Sequence, residues 1–167
     1  MSERKILMNT KSSQKNNDEK YEILRLDNQL CFSLYVCSKE IIRKYKPLLD
    51  PYNLTYTGYI ILMALWEEDN ITIKNLGKKL FLDSGTLTPL LKKLEAQGYI
   101  TRSRCQTDER NVYIALTKKG KDFQDKALSI PEELICSLGL DLKDGKRLLD
   151  GLHKLIRTIV SSEQNNK

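Results

Sequence analysis

Cysteine is the residue type in this sequence with the clearest capacity for chemistry. The chain has four cysteines, and two of them, Cys31 and Cys37, stand six residues apart in the segment LCFSLYVCSKE. A thiol can form a disulfide, bind a metal, pack as a small apolar side chain or react with an oxidant. In an α-helix these two positions are about 9 Å apart along the axis and on different faces, so they cannot form a disulfide with each other.

The remaining cysteines do not complete a metal site. Cys105 and Cys136 are far from the first pair, and the chain has a single histidine, His153. These spacings match no zinc pattern, so the sequence predicts neither a metal nor a cofactor. From the residues alone, the default role of each cysteine is a small buried apolar side chain.

Length and composition indicate one soluble domain with an anionic partner. The 167 residues are 40% hydrophobic and 30% charged, and 28 basic against 22 acidic residues give a net charge of +6. This excess is a mild indication of an anionic partner. The sequence has no apolar run of the roughly 20 residues that span a membrane, and its N-terminal segment lacks the apolar core of a signal peptide. We therefore expect a cytoplasmic protein, in which a permanent disulfide framework is disfavoured.

The pattern of apolar residues predicts a helical start to the folded chain. Residues 1–20 are polar and aperiodic and are expected to form a disordered tail. A first helix is expected from about residue 22 or 27 to residue 46, because Pro47 marks its end. An apolar second helix is expected at 57–68.

Two short helices and a hairpin then follow in the order of a winged helix-turn-helix. Thr72 and Asp83 are the expected N-caps of the two helices. Two alternating, β-rich runs, 99–105 and 112–117, are joined by the polar loop QTDERN and predict a β-hairpin. The predicted fold class is therefore mainly α with a small β-hairpin wing, an α+β arrangement.

Long helices on either side of this unit are predicted to form a dimer interface. Thr117 caps a helix to about residue 128, Pro131 begins a further helical piece, and the last helix covers 141–161. The apolar stripe of the last helix is too wide for a domain of this size and needs a second copy to cover it. We expect a single domain at 21–167, with a DNA-binding unit at about 54–117 and dimerisation helices at about 22–46 and 118–161.

The fourth helix, in LDSGTLTPLLKKLEAQG, has the pattern of a DNA-reading helix. Its leucines occupy one face, and the other face is polar and partly basic, which suits a major groove about 12 Å wide. Pro89 lies within the helix if Asp83 is the cap, whereas Thr88 as the cap would put Pro89 at the first turn, so the start stays open. The predicted DNA contacts here are Ser84, Thr86, Thr88, Pro89 and Lys92.

The hairpin adds a second candidate DNA contact. Arg102 and Arg104 alternate onto one face of its first strand, and Arg110 lies beside Asp108 in the loop. An arginine at a hairpin tip can enter the narrow minor groove, where the potential is most negative. An isolated arginine is usually a solvated surface residue, but in this context we expect Arg110 to contact DNA.

Three stretches of the sequence together resemble one family. DERNVYIALT resembles the wing of MarR-family transcriptional regulators, and LDSGTLTPLLKKLEAQGYITR is similar to their recognition helix. LDNQLCFSLYVCSKEI, with YKPLLDPYNLTYTGYIILMALWE, resembles the organic-hydroperoxide-sensing branch, the OhrR-type repressors. The resemblance covers about residues 24–160. It implies a homodimeric winged-helix repressor that binds a pseudo-palindromic operator in double-stranded DNA.

The resemblance also singles out Cys31 as the reactive thiol. If Asp27 caps the first helix, Cys31 lies in its opening turn, where the helix dipole favours the thiolate that attacks peroxides. Attack on an organic hydroperoxide would give a sulfenic acid, the first and reversible step of cysteine oxidation.

Other residues take their expected roles from the same resemblance. Tyr45 and Tyr56 match tyrosines that hydrogen-bond the reactive sulfur, although from the sequence alone each is a core aromatic. Cys136 matches the cysteine that, in two-cysteine members, resolves the sulfenic acid of the other subunit. Cys37 and Cys105 match no role in the family.

The sequence thus predicts a repressor, not an enzyme, that leaves its operator when an organic hydroperoxide oxidises Cys31 and a disulfide forms with Cys136 of the other subunit. One alternative is a MarR-type regulator that responds to another oxidant or a small aromatic ligand, with Cys31 merely buried. A second alternative is a thiol-dependent peroxidase. It is disfavoured because it would leave the basic helix and the wing without a role.

Overall fold

Seven α-helices and one small antiparallel sheet build the described part of the chain. The structure is a computed structural model that describes residues 20–104 and 111–164, and at 162–164 it describes the backbone alone. This arrangement confirms the predicted fold class. The helices are α1 (Leu30–Leu49), α2 (Tyr56–Glu67), α3 (Ile73–Leu80), α4 (Ser84–Ala96), α5 (Lys118–Lys126), α6 (Ile130–Leu138) and α7 (Leu142–Gln164), and the strands are β1 (Ile71–Thr72), β2 (Ile100–Arg104) and β3 (Val112–Leu116).

The chain divides into two units, Met1–Arg43 and Lys44–Lys167. In the first unit, two 3-10 turns precede α1, and no side chain among residues 20–43 is buried. Asp27 lies inside the second of these turns and not beside the helix, so the expected cap is wrong. The residue before α1 is Gln29, in extended backbone, and its carbonyl accepts the Ser33 N–H. The expected tail falls almost wholly outside the described residues.

The end of α1 differs from the prediction, since Pro47 lies inside the helix and Leu49 ends it. A proline removes one helical hydrogen bond. Because the helix ends two residues after Pro47, little of it follows the lost bond. Leu49 is buried in the core of the second unit, and its burial offsets the lost bond. A 3-10 turn at Asp50–Tyr52 follows, and Asn53 then adopts a left-handed conformation that redirects the chain.

The core of the second unit forms around α2. Thr55 caps this helix by accepting the Gly58 N–H at 3.1 Å. The helix is apolar on nearly every side, which is the pattern of a helix surrounded by other elements. Its buried residues share one core with the leucines of α3 and α4, with the sheet and with α5; the members include Ile61, Leu62, Leu65, Leu76, Leu87, Leu91, Leu94, Ile100, Ile114 and Phe123.

The expected caps of the two short helices are confirmed. The Thr72 hydroxyl accepts the Asn75 N–H at 3.2 Å, and the Asp83 carboxylate accepts the Thr86 N–H at 2.8 Å. Asp83 is therefore the start of α4, and Pro89 lies inside this helix. Because Pro89 has no N–H, the carbonyl four residues before it has no donor in the helix.

The sheet contains one strand that the sequence did not predict. Its order is β1-β3-β2, so β3 is the central strand and both neighbours are antiparallel to it. The predicted hairpin consists of β2 and β3, with Arg102 opposite Ile114. β1 has only two residues and pairs Ile71 with Ile114.

The C-terminal helices agree with the predicted order. Thr117 caps α5 by accepting the Gly120 N–H at 3.1 Å, and Pro131 occupies the first turn of α6. α7 has no buried residue among its described side chains. Among the described helices, none combines the length and the apolar character that a membrane crossing requires. The exposed apolar side chains of α7 are Leu142, Leu148, Leu149, Ile156 and Ile159.

Candidate nucleic-acid interface and thiol site

One face of α4 is anchored in the core and the other is open. Leu87, Leu91 and Leu94 are buried, so they fix the rotation of the helix about its axis. The opposite face carries small and basic side chains that can approach a groove closely. The exposed residues on α4 are Ser84, Gly85, Thr86, Pro89, Lys92, Lys93 and Ala96.

The first turn of α4 is stiffened by its own threonines. Thr86 donates from its hydroxyl to the Asp83 carboxylate at 2.7 Å, and Thr88 donates to the Ser84 carbonyl at 2.6 Å. The hydroxyl and the backbone N–H of Thr86 both hold the pKa of Asp83 below its ordinary value. Both threonine hydroxyls are therefore engaged within the helix, whereas Ser84 and Lys92 are exposed polar residues on the same helix.

The two arginines of β2 have different surroundings. Arg102 is partly buried and donates from Nε to the Glu95 carboxylate of α4 at 2.8 Å, whereas Arg104 is exposed. Arg102 therefore ties the wing to the recognition helix. This pair could not be predicted from the sequence, because Glu95 belongs to another element and the two charges meet only where β2 packs against α4.

The loop of the wing lies outside the described residues. The undescribed residues 105–110 include Asp108 and Arg110 of the candidate DNA site, which are predicted to lie in the loop, and Cys105, which is predicted to end the strand before it. Their roles remain predictions from the sequence.

The three described cysteines are all exposed, so the default expectation of buried thiols is wrong for Cys31, Cys37 and Cys136. Cys31 is the second residue of α1 and Cys37 lies further along the same helix. Cys136 lies near the end of α6, two residues before its last residue. Exposure does not distinguish these thiols, but only Cys31 lies in the first turn of a helix, where unpaired backbone N–H groups favour negative charge.

The two predicted tyrosines meet in an aromatic cluster in the second unit. The ring centroids of Tyr45 and Tyr56 are 4.8 Å apart, and the buried Tyr59 lies 5.9 Å from Tyr45. Burial raises the pKa of Tyr45 to about 12, and the neighbouring Tyr56 and Tyr59 add to this effect. Tyr45 is therefore a neutral hydrogen-bond donor at physiological pH. Tyr59 was not among the predicted site residues, although its position one turn after Tyr56 was the available signal.

Within residues 20–104 and 111–164, no group of three or more histidine, cysteine or acidic side chains is placed to hold a metal ion. The second unit does contain an open cleft of about 600 Å³ beside the base of the wing. Its lining includes the rings of Tyr52, Tyr99 and Phe123, of which the last two are almost fully buried, and the charged side chains of Lys119, Asp122 and Lys126. The Lys119 ammonium lies 4.3 Å from the centroid of the Tyr99 ring.

Comparison with known proteins gives consistent matches. Residues 43–127 match the family model described as transcriptional regulator SarA/Rot. Over 145 residues the chain is 46% identical to the organic hydroperoxide resistance transcriptional regulator of Bacillus subtilis strain 168, covering 85% of this chain and 97% of that protein.

Solved structures of a second relative add a comparison of states. The chain is 36% identical to AbfR, and reduced AbfR bound to DNA matches with a TM-score of 0.68, covering 85% of this chain and 99% of that one. The disulfide form of AbfR matches with a TM-score of 0.57, covering 84% of this chain and 98% of that one. Overoxidized AbfR bound to DNA matches with a TM-score of 0.67, covering 84% of this chain and 98% of that one.

Proposed function

Because this chain belongs to the MarR/SarA-type transcriptional regulators, in the OhrR-type branch, we propose that it is a repressor that releases its operator when an organic hydroperoxide oxidises Cys31. Regulators of this family bind DNA and act as dimers. The observation that carries the proposal is the exposed Cys31 thiol in the first turn of α1. An exposed thiol in such a turn has both the access and the local electrostatics that a reactive cysteine needs.

The chemistry begins with attack of the Cys31 thiolate on the terminal oxygen of the hydroperoxide. The O–O bond breaks, the alkoxide leaves and takes a proton to become an alcohol, and the sulfur becomes a sulfenic acid. The thiolate of Cys136 from the other subunit then attacks this sulfur, and the hydroxyl leaves as water with one proton. The products are a disulfide, an alcohol and water. Tyr45 and Tyr56 are proposed to hydrogen-bond the reactive sulfur, and the raised pKa of Tyr45 keeps its phenol a donor.

Release of DNA follows from the geometry that a disulfide demands. Two cysteines are joined only if their Cα atoms approach to within about 7 Å. The recognition helices of a dimer must be about 34 Å apart to read two half-sites. A disulfide between Cys31 and Cys136 of opposite subunits would draw the dimerisation helices together and change that spacing.

The first test compares two cysteines of the same helix. Cys31→Ser should bind DNA as the wild type does and keep it after treatment with cumene hydroperoxide, because the oxidisable sulfur is gone. Cys37→Ser is the matched control and should be released like the wild type. Fluorescence anisotropy on a duplex enriched by the wild-type protein from a randomised library would measure both. Release of Cys31→Ser by the same dose would show that the sensor lies elsewhere.

The second test concerns Cys136. Peroxide-treated wild type should run as a covalent dimer on a non-reducing gel, and its digest should contain a peptide that joins residues 31 and 136. Cys136→Ser should abolish this dimer. A treated wild type that stays monomeric with a small thiol on Cys31 would instead place the protein in the one-cysteine class.

A second candidate function is a regulator controlled by a small aromatic anion, and the aromatic and basic cleft beside the wing favours it. A ligand ring could pack against the partly exposed Tyr52 while a carboxylate pairs with the lysines. Titration of the DNA complex with benzoate, without any oxidant, separates the two functions. Release by benzoate that Lys119→Ala abolishes would support this candidate.

A further inference from the structure

A single carboxylate joins three elements at the base of the wing. Asp69, in the turn between α2 and β1, accepts the Leu116 N–H of β3 at 2.8 Å. The same oxygen, Oδ1, also accepts the Asn70 N–H at 2.8 Å, and Oδ2 lies 3.4 Å from the ammonium of Lys121 on α5. Asn70 has a left-handed backbone (φ 57°), which turns the chain away from the sheet just before β1 begins.

The register of the sheet explains why Asp69 is needed there. Ile71 pairs with Ile114, so the antiparallel register places residue 69 opposite Leu116. The left-handed Asn70 ends β1 before residue 69 can pair with Leu116. The Leu116 N–H, on the β1 edge of β3, would then have no backbone carbonyl to accept it. The Asp69 side chain supplies the acceptor in place of the backbone. An unpaired donor in a central strand would cost stability and let the strand end shift.

We propose that Asp69 is a positioning residue that sets the direction of the wing against bound DNA. This role rests on the proposed DNA-binding function. Arg102 and Glu95 fix the β2 side of the hairpin to α4, and Asp69 fixes the β3 side to the turn after α2. With both strands held at the base, the hairpin cannot rotate relative to the recognition helix.

The length of the hairpin makes its base important. Arg110 lies six positions before Leu116 in the sequence. An extended chain of that length spans at most about 20 Å. A rotation of roughly 10° at the base would therefore displace the loop by about 3 Å, enough to lose a hydrogen bond. Loss of Asp69 should weaken DNA binding although Asp69 itself does not touch DNA.

The acceptor oxygen, and not the charge, carries this role. The pair between Asp69 and Lys121 is exposed to solvent, at 33% and 63% of their side chains, and such pairs contribute little. Asp69→Asn keeps an oxygen that can accept the Leu116 N–H, so it should retain near-wild-type DNA affinity. Asp69→Ala removes the acceptor and should weaken operator binding by about tenfold, the size of effect that a lost specific contact has.

Glu68→Ala is the matched control. Glu68 precedes Asp69 and lies 3.8 Å from the ammonium of Lys79, and its removal changes the net charge by the same amount. Loss of an acidic side chain by itself favours binding to phosphates, so Glu68→Ala should bind equally well or slightly better. If DNA affinity falls only in Asp69→Ala, the change in net charge cannot be the cause, because that change by itself predicts tighter binding. Anisotropy titrations on the library-enriched duplex, below the thermal midpoint of every variant, provide the comparison.

A double-mutant cycle with Arg110→Ala tests whether the effect passes through the wing. If it does, Asp69→Ala should cost less than about twofold in affinity once Arg110 is already absent, because coupled sites are not additive. An equal loss in both backgrounds, an equal loss in Asp69→Asn, or no loss in Asp69→Ala would overturn the proposal. A wild-type protein that enriches no duplex would refute the DNA-binding function itself, and the role of Asp69 with it.

Discussion

At the scale of single residues, Tyr45 shows how neighbours fix a protonation state. Its ring lies against Tyr56 and Tyr59, and burial is the main reason that its pKa rises from 10.0 to about 12. The folded state therefore prefers the neutral phenol more strongly than the unfolded state does. This preference stabilises the fold fully below pH 10 and is lost as the pH rises from about 10 to about 12.

We predict that Tyr45→Phe reduces the alkaline sensitivity of the fold. The free energy of unfolding of the wild type should fall between pH 10 and pH 12, and that of Tyr45→Phe should fall less, because this phenol no longer ionises. Tyr35→Phe, which changes an exposed ring on α1, is the control and should keep the wild-type fall. Urea unfolding at a series of pH values measures the difference. Identical curves for all three proteins would contradict the assignment.

At the scale of elements, the junction between α2, the wing and α5 depends on a glycine. The Trp66 indole N–H on α2 donates to the Gly120 carbonyl at 3.0 Å. A Cβ atom on Gly120 would overlap the Tyr99 carbonyl oxygen and would lie 3.0 Å from a Leu116 methyl group. Only glycine lets α5 begin this close to the strand, so the junction tolerates no side chain.

We predict that Gly120→Ala destabilises the protein by about 1–3 kcal/mol, the usual cost of forcing atoms into a packed site. Gly151→Ala is the matched control, because a Cβ at Gly151 in α7 meets nothing within 4 Å. Alanine there should raise stability by about 0.5–1 kcal/mol through its higher helix propensity. Chemical denaturation of both variants gives the two signs. A neutral Gly120→Ala would mean that α5 can move away from Tyr99.

The same elements show what the sequence could and could not predict. The caps Thr72, Asp83 and Thr117 were correct because a cap depends on residues within one turn of it. β1 was missed because two residues carry no alternation, and the strand exists only through its pairing with β3. The Pro47 prediction failed because local propensity was outweighed by burial of Leu49, which depends on the whole core.

Prediction of the site had a similar limit. The motif around Cys31 and the basic face of α4 follow from short stretches of sequence, and the structure places Cys31 in a first turn as expected. Other features depend on residues from separate elements. They are the exposure of Cys37 and Cys136, the Glu95–Arg102 pair and the proposed role of Asp69. No periodicity or spacing encodes such contacts.

At the scale of the whole molecule, we expect α7 to pack against a partner. This helix presents a stripe of leucine and isoleucine side chains, and none of its described side chains is buried within the chain. A stripe of this kind is covered most simply by the same helix of a second copy.

We predict that Ile156→Glu shifts the protein from dimer to monomer, because it places a charge within the stripe. Ser161→Glu introduces the same charge on the opposite face of α7 and should leave the dimer intact. Sedimentation equilibrium of both variants distinguishes them, and operator binding should fall with the loss of the dimer. A dimeric Ile156→Glu protein would move the interface away from this stripe.

The strand order of the sheet has a consequence for the newly made chain as it leaves the ribosome. β1 and β2 do not pair with each other, and each finds its partner only in β3, which is made last. Ile71 must therefore wait for Ile114, and a chain released anywhere before Val112 contains no sheet. Contacts between such distant residues form slowly compared with the turns of a helix. The DNA-binding unit is thus completed in one late step, so a truncated translation product carries the recognition helix without the wing that supports it.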